Sequence, residues 1–180
     1  VNMGDQLEKL VLDLIGCGPE EEGAAVAMVL KTGEPVLPVL VQRFPGPLWF
    51  DRRQPHTRLP RGKDISAAAR AIVAFKDLAV PYVCSLLDTR DSETRFYAVL
   101  LASEFPTVDV MQRVANHIYD KDAGTRKLAV ATFRSFWSLG KPVDEALKPV
   151  RTAAKHSKGD LYHQVQAIGV LAEMRDRRSF

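Results

Sequence analysis

Residues 86–98 read LLDTRDSETRFYA, and residues 118–129 read IYDKDAGTRKLA. The two stretches share an order of residue types: an aspartate, a long polar side chain four positions later, and an alanine three positions after that. A third copy lies near the C-terminus, so the chain is predicted to consist of repeats. The three sets are Asp91, Arg95 and Ala98; Asp122, Arg126 and Ala129; and Asp160, Gln164 and Ala167.

Each repeated aspartate is predicted to be the N-cap of a helix. An aspartate at this position accepts hydrogen bonds from unpaired amides of the first helical turn, and its charge suits the positive end of the helix dipole. The alanine lies two turns further on, where a small side chain allows a neighbouring helix to approach. The pattern therefore predicts helices over 91–104, 122–138 and 160–174, each the second of a pair.

Looser copies extend the repeat toward the N-terminus. Asp64, with Ala68 and Ala71, predicts a helix over 64–75. Glu20, with Ala24 and Ala27, shares little with the other copies beyond the spacing. Here the sequence predicts a helix whose first turn is formed by residues 19–22 and which stops at Gly33. An amphipathic stripe over 7–15 precedes that helix.

Every second helix is preceded by an apolar segment with its own helix-start signal. Pro81 and Pro142 suit the first turn of a helix, and Thr107 suits an N-cap. Linkers of a few residues favour antiparallel pairs, and such pairs bury their apolar faces only by stacking. The sequence predicts an all-α fold, a right-handed α-solenoid of about five antiparallel helical hairpins.

The segments at 86–98 and 118–129 resemble the HEAT-repeat family. In that family the turn between paired helices carries aspartate, and a valine or threonine followed by arginine enters the second helix. Thr94 with Arg95 and Thr125 with Arg126 match this pattern, whereas Gln164 replaces the arginine in the last repeat. The resemblance implies a scaffold that binds other macromolecules along a curved surface, and it implies no catalytic residue.

Composition limits the function classes. Of 180 residues 46% are hydrophobic, which is enough for a continuous core, but no run reaches the roughly 18 apolar residues of a membrane helix. Of the two cysteines, Cys84 lies in an apolar context and is expected to be a buried thiol, in keeping with a reducing cytoplasm. We expect one repeat domain over 1–180, a fragment of a longer protein.

One segment breaks the repeat: FPGPLWFDRRQPHTRLPRGKD at 44–64, with a long loop over 45–63. Its prolines and glycines exclude a continuous helix. Exposed aromatic and arginine side chains are common anchors of interfaces, but the aromatic residues could equally fold back onto neighbouring helices. The candidate partner-binding residues are Trp49, Phe50, Arg52, Arg53, Arg58 and Arg61.

Other candidate sites have structural explanations. His56, His117, His156 and His163 lack the spacing of metal ligands, so no metal site is expected. The spacing of Phe133, Phe136 and Trp137 places them on one side of a helix and predicts core packing. Arg95 and Arg126 are expected to pair with turn aspartates of adjacent repeats.

The functional expectation is a protein-interaction scaffold with no enzyme activity and no cofactor. Its contact surface is expected on the second helices over 91–104 and 122–138, with the loop as an accessory contact. The alternative is nucleic-acid binding through the basic segment 52–63, which includes Lys63. Self-association through exposed terminal repeats is a further expectation.

Overall fold

A computed structural model describes residues 2–140, 143–156 and 160–175 of the chain. Within these ranges the protein contains ten α-helices and no β-strand, which confirms the all-α prediction. The helices are α1 (Met3–Ile15), α2 (Gly23–Thr32), α3 (Leu37–Arg43), α4 (Ala67–Ala74), α5 (Val80–Leu87), α6 (Ser92–Ala102), α7 (Val108–Asn116), α8 (Ala123–Ser138), α9 (Asp144–Lys155) and α10 (Leu161–Glu173).

The chain divides into two compact units, Val1–Phe105 and Pro106–Phe180. The first unit contains α1 to α6, and the second contains α7 to α10. Helices that follow one another pack as the pairs α1–α2, α3–α4, α5–α6, α7–α8 and α9–α10, and in the second unit α7 also packs on α9. Four short 3₁₀ helices connect or extend these elements, at Glu34–Val36, Gly62–Asp64, Lys76–Ala79 and His117–Tyr119.

The aspartates of the three clear repeats are N-caps, as predicted. Asp91 accepts a hydrogen bond from the Thr94 amide at 2.8 Å, and Asp122 accepts one from the Thr125 amide at 2.8 Å. The hydroxyls of both threonines donate to the same carboxylates. Asp160 accepts from the His163 amide at 3.2 Å. Each carboxylate thus satisfies an amide that the helix itself leaves unpaired.

The first helices of the pairs also follow the sequence signals where they are described. Thr107 accepts a hydrogen bond from the Val110 amide at 3.3 Å, and Pro81 lies in the first turn of α5. The third signal, Pro142, lies outside the described residues.

The two loosest copies of the repeat do form helices, α2 and α4, but the predicted start of each helix was wrong. Asp64 ends a 3₁₀ helix, and the N-cap of α4 is Ser66, whose hydroxyl accepts from the Ala69 amide at 3.1 Å. Asp64 is not a cap because its carboxylate instead binds Arg70, at 2.6 Å. Residues 20 and 21 lie in a turn, and α2 begins only at Gly23, although it stops at Gly33 as expected.

The aromatic stripe on α8 is only partly in the core. Phe133 and Phe136 are buried, whereas Trp137 is 43% exposed. At about 100° per residue, Trp137 lies roughly 100° around the helix from the centre of the buried face, so its ring turns toward solvent. The prediction of a core position is therefore wrong for Trp137.

The core of the first unit surrounds α6, in which all residues from Phe96 to Ala102 are buried. Cys84 on α5 is buried, as predicted. In the described ranges no single helix is long and apolar enough to cross a membrane. The segments Gly23–Thr32 and Glu34–Arg43 reach that length and composition only together, with a bend of 111° at the break.

Candidate interaction surfaces

Trp49 packs back onto the first unit. Its indole Nε1 donates a hydrogen bond to the Cys17 carbonyl oxygen at 3.2 Å, and its amide donates to the Ile65 carbonyl oxygen at 2.8 Å. The ring is half-buried beneath the guanidinium of Arg70, which lies 4.6 Å from the ring centroid. Trp49 therefore has the packing role that the sequence left open as an alternative.

Arg70, on α4, is the residue that the sequence reasoning missed. Its guanidinium donates to Glu22 at 2.6 Å and to the carbonyl oxygen of Pro19 at 3.2 Å, both between α1 and α2. It also donates to Asp64 and to the Lys63 carbonyl oxygen. The hydrogen bond from Arg70 holds the pKa of Glu22 below its ordinary value. One side chain thus joins α4 to the α1–α2 connection and to the end of the long loop.

Arg52 attaches the middle of the loop to α6. Its guanidinium donates to Glu93 at 2.5 and 3.3 Å and lies 4.4 Å from the centroid of the Phe96 ring, and its amide donates to the Tyr97 hydroxyl at 3.0 Å. The hydrogen bond from Arg52 is the main cause that lowers the pKa of Glu93, and Arg53 adds a weaker contact at 3.4 Å. Arg52 is therefore largely engaged within the fold.

The end of the loop approaches α6 even more closely. A Cβ atom at Gly62 would lie 2.8 Å from the Leu100 carbonyl oxygen and 2.8 Å from the Cγ of Glu104, so only glycine fits here without movement. The neighbouring Lys63 amide donates to the Glu104 carboxylate at 3.3 Å. The loop thus packs against α6, one of the two second helices on which we expected the contact surface, and Phe96–Ala102 of that helix are buried.

Three loop arginines remain accessible. Arg53 has a side chain that is 70% exposed, and Arg58 and Arg61 are also exposed. Phe50 is half-buried, and its ring meets that of His56 edge-on at a centroid distance of 5.0 Å. The structure thus separates the six candidate residues. Trp49 and Arg52 bind within the unit and Phe50 is half-buried, whereas Arg53, Arg58 and Arg61 form the exposed cationic edge of the unit.

The polar residues of the repeat bind their own turns. Arg95 donates to the Arg90 carbonyl oxygen at 2.6 Å, and Arg126 donates to the carbonyl oxygens of Asp120 and Lys121 at 2.7 and 3.1 Å. These bonds go to the turn that precedes the same helix.

Gln164 has the corresponding position in the last repeat. Its side-chain amide donates to the carbonyl oxygen of Ala154, near the end of α9, at 3.0 Å. The bonds described for Arg95, Arg126 and Gln164 therefore fix the connection between paired helices.

In the second unit, α7, α9 and α10 enclose a cleft of about 400 Å³. Its apolar side includes Pro149 and Val150, and its polar rim includes Asp160 and His163. The His163 ring lies 4.6 Å from the ring of Tyr119, and its Nδ1 hydrogen-bonds the Asp160 carboxylate. Burial raises the pKa of Tyr119. Asp160 is therefore already engaged by both the amide and the ring of His163.

A second concavity, of about 300 Å³, lies between the second helices α8 and α10. We call it the α8–α10 groove. Buried Ile118 lies at its base, and Val130 and Ala131 of α8 add further apolar surface. Its charged lining consists of Arg126, Lys127 and Arg134 on α8 and Glu173 on α10. The groove is therefore apolar at the base and mainly cationic at the rim.

α10 presents apolar side chains on two opposite faces. One face is buried and carries Ala167, Val170, Leu171 and Met174. The other, which we call the α10 stripe, follows the spacing four, three, four and carries Leu161, Val165, Ile168 and Ala172. In the stripe, Leu161 is 69%, Val165 55% and Ile168 42% exposed, and Tyr162 beside it is also exposed. These residues form one exposed apolar strip on a single helix.

No metal-binding arrangement occurs among the described residues, where no three His, Cys, Asp or Glu side chains converge. Comparisons with protein-family models, with curated proteins and with solved structures gave no match to the chain. Its function must therefore be argued from the surfaces described above.

Proposed function

We propose that the chain is a non-catalytic protein-interaction scaffold, a right-handed HEAT-like α-solenoid that binds a partner protein along its second helices. The five packed pairs and the aspartate caps support the repeat architecture. The observation that carries the interaction is the α10 stripe, because it offers a partner an apolar surface on a second helix.

The energetics of the stripe favour a protein partner. Burying one fully exposed Val, Leu or Ile side chain contributes about 1.5–3 kcal/mol, and Leu161, Val165 and Ile168 retain roughly half of their surface in contact with water. A helix that is apolar on two faces is typical of an internal layer in a stack of helices. We therefore propose that an apolar helix face of the partner covers the stripe.

The test is to replace the centre of the stripe with charge. Val165→Glu with Ile168→Glu leaves the buried face of α10 intact, so the thermal midpoint should change little, while binding should be lost. The matched control carries Met28→Glu and Leu78→Glu, which replace apolar residues of similar exposure on the first unit. Partners are read out by crosslinking in a lysate of the source cell.

Light scattering after size exclusion shows whether the partner is a second copy of this chain. Loss of a crosslinked protein in the stripe variant alone would support the proposal. If the wild type, stripe variant and control all remain monomeric and give the same crosslinks, the stripe is not an interface and the proposal fails.

The absence of enzyme activity is part of the same proposal. One pair of a kind found in catalytic sites, Asp160 with His163, lies in the cleft of the second unit. Asp160 is explained as the N-cap of α10, and the cleft lining supplies no serine or cysteine nucleophile among the described residues. We include a cytoplasmic location, in keeping with cysteines present as thiols.

Nucleic-acid binding through 52–63 is the second candidate, and the exposure of Arg53, Arg58 and Arg61 favours it. Arg52 contributes little, since Glu93 neutralises its charge. An oligonucleotide whose affinity falls steeply with salt, and falls further in Arg58→Ala with Arg61→Ala, would support this candidate. Affinity that the two substitutions leave unchanged would exclude it.

A further inference from the structure

The α8–α10 groove differs from the cleft between α7, α9 and α10 in the charges that line it. Lys127 and Arg134 are exposed, and within the described ranges no carboxylate lies within ion-pair distance of either. Both belong to α8, seven residues apart, so their Cα atoms lie about 10.5 Å apart on one side of the helix. Two cations at this spacing can bind two anionic groups of one ligand.

The base of the groove adds a different requirement. Ile118, Val130 and Ala131 are apolar and line the groove together with the two cations and the α10 residues Gln166 and Glu173. A ligand that fills the groove must therefore bring an apolar group between its charges. Residues three and four apart are neighbours on a helix, so Gln166 in the α10 wall adjoins Tyr162 and Gly169 at the edge of the α10 stripe.

We propose that the α8–α10 groove binds an acidic peptide segment of the partner protein, with an apolar side chain of that segment on the base and its carboxylates at Lys127 and Arg134. The inference rests on the proposed function, because it assumes that a partner protein binds the second unit and specifies the chemistry of the segment that the partner contributes. The cationic side chains attract and orient the acidic segment, and the apolar base adds area removed from water.

A peptide fits this groove better than a nucleic acid does. Protein surfaces that bind single strands combine a continuous cationic track with aromatic side chains for stacking. No aromatic side chain lines the described groove, and Glu173 places a carboxylate on its α10 wall. That carboxylate would repel a phosphate chain, whereas a peptide can present a neutral residue there.

Fluorescence anisotropy with the whole chain tests the inference. The probe is a fluorescein-labelled peptide in which glutamates flank a central leucine, and the comparison peptide has glutamine for every glutamate. We expect the glutamate peptide to bind at least about tenfold more tightly than the glutamine peptide, and added salt to weaken it.

Two variants localise the binding. Lys127→Glu reverses a charge at the rim, and Ala131→Glu places bulk and negative charge on an exposed position of the base. Each should weaken the glutamate peptide by about tenfold. Lys155→Glu is the matched control, because it makes the same charge change on an exposed residue of α9 outside the groove, and it should change the affinity by less than about twofold.

Three outcomes would overturn the inference. They are equal affinity for the two peptides, equal weakening by Lys127→Glu and Lys155→Glu, and tighter binding of a thymidine oligonucleotide that loses affinity in the groove variants. None of these outcomes depends on the result of the Val165→Glu, Ile168→Glu test. If the acidic peptide does not bind the groove but the stripe variant loses its partner, only the inference about the acidic segment is refuted.

Discussion

Gly62→Ala tests whether the long loop is fixed on α6. In the native backbone the added Cβ would lie 2.8 Å from the Leu100 carbonyl oxygen and 3.0 Å from the Leu101 Cα. Both atoms belong to the backbone of α6, which cannot turn aside as a flexible side chain could. The 3₁₀ helix Gly62–Asp64 must therefore move away from α6.

The size of the effect follows from the distances. Ordinary contacts of a Cβ begin at 3.4 Å, so the Cβ and the Leu100 carbonyl oxygen must move about 0.6 Å further apart. Overpacking of this kind costs about 1–3 kcal/mol. Replacing glycine with alanine also lowers the conformational entropy of the unfolded chain, which stabilises the folded state by about 0.4–1 kcal/mol. We expect the free energy of unfolding of the first unit to fall by about 1–2 kcal/mol.

Urea denaturation followed by tryptophan fluorescence measures this loss. The chain has two tryptophans, one in each unit, so a Trp137→Phe background leaves Trp49 as the reporter of the first unit. Gly23→Ala is the control, because a Cβ there meets no atom within 4 Å. As alanine favours the first turn of α2, the control should be neutral or slightly stabilising.

The result that would refute the reasoning is a Gly62→Ala midpoint equal to that of Gly23→Ala. Such a result would mean that no backbone of α6 lies against residue 62. The loop would then be free to present Arg58 and Arg61 in other positions, and its covering of α6 would have to be abandoned.

Three further predictions concern the same scaffold. Trp49→Ala should destabilise the first unit by about 3 kcal/mol and Trp49→Phe by about 1 kcal/mol, as measured by thermal unfolding. The phenylalanine variant loses less because it keeps a ring beneath the Arg70 guanidinium. Equal losses in the two variants would contradict this packing. Asp122→Ala should cost the second unit about 1 kcal/mol by urea denaturation, and Asp122→Asn distinctly less, because the amide oxygen can still cap α8. Folding lowers the pKa values of Glu22 and Glu93, so the unfolded chain binds protons at these sites more readily than the folded chain does. The stability that these carboxylates contribute is therefore present above the ordinary glutamate pKa of 4.5 and should be lost as the pH falls below it. Glu22→Gln with Glu93→Gln should flatten that decline in an acid titration of the unfolding free energy, and an unchanged slope would refute the assignment.

The sequence predicted the elements whose causes are local. Asp91 and Asp122 act within three residues, on amides of their own helices, so the residue type and its position were sufficient. Asp64 has the same spacing to alanine, but Arg70, six residues further on, binds its carboxylate, and the repeat spacing does not indicate that contact. Ser66 was the available signal, a hydroxyl directly before a run of alanines.

The candidate site was less predictable because its contacts are distant in the chain. The loop was correctly identified as an interruption of the helices. Nothing in the sequence near Arg52, however, indicates that this residue hydrogen-bonds Glu93 and Tyr97, which lie 41 and 45 residues further along the chain. The stripe was missed for another reason. Leu161, Val165 and Ile168 have the period of any amphipathic helix, and the period alone does not tell which of two apolar faces is covered.

The contact of Glu93 with both Arg52 and Arg53 has an evolutionary consequence. This carboxylate meets Arg52 at 2.5 Å and Arg53 at 3.4 Å, so it offsets one of two adjacent positive charges. A single codon change at residue 93 that removes its charge would take away the carboxylate that both guanidinium groups contact, beside the exposed Arg58 and Arg61. The same backbone would then carry a denser cationic edge, and natural selection could alter the electrostatic preference of this surface without inserting or deleting a residue.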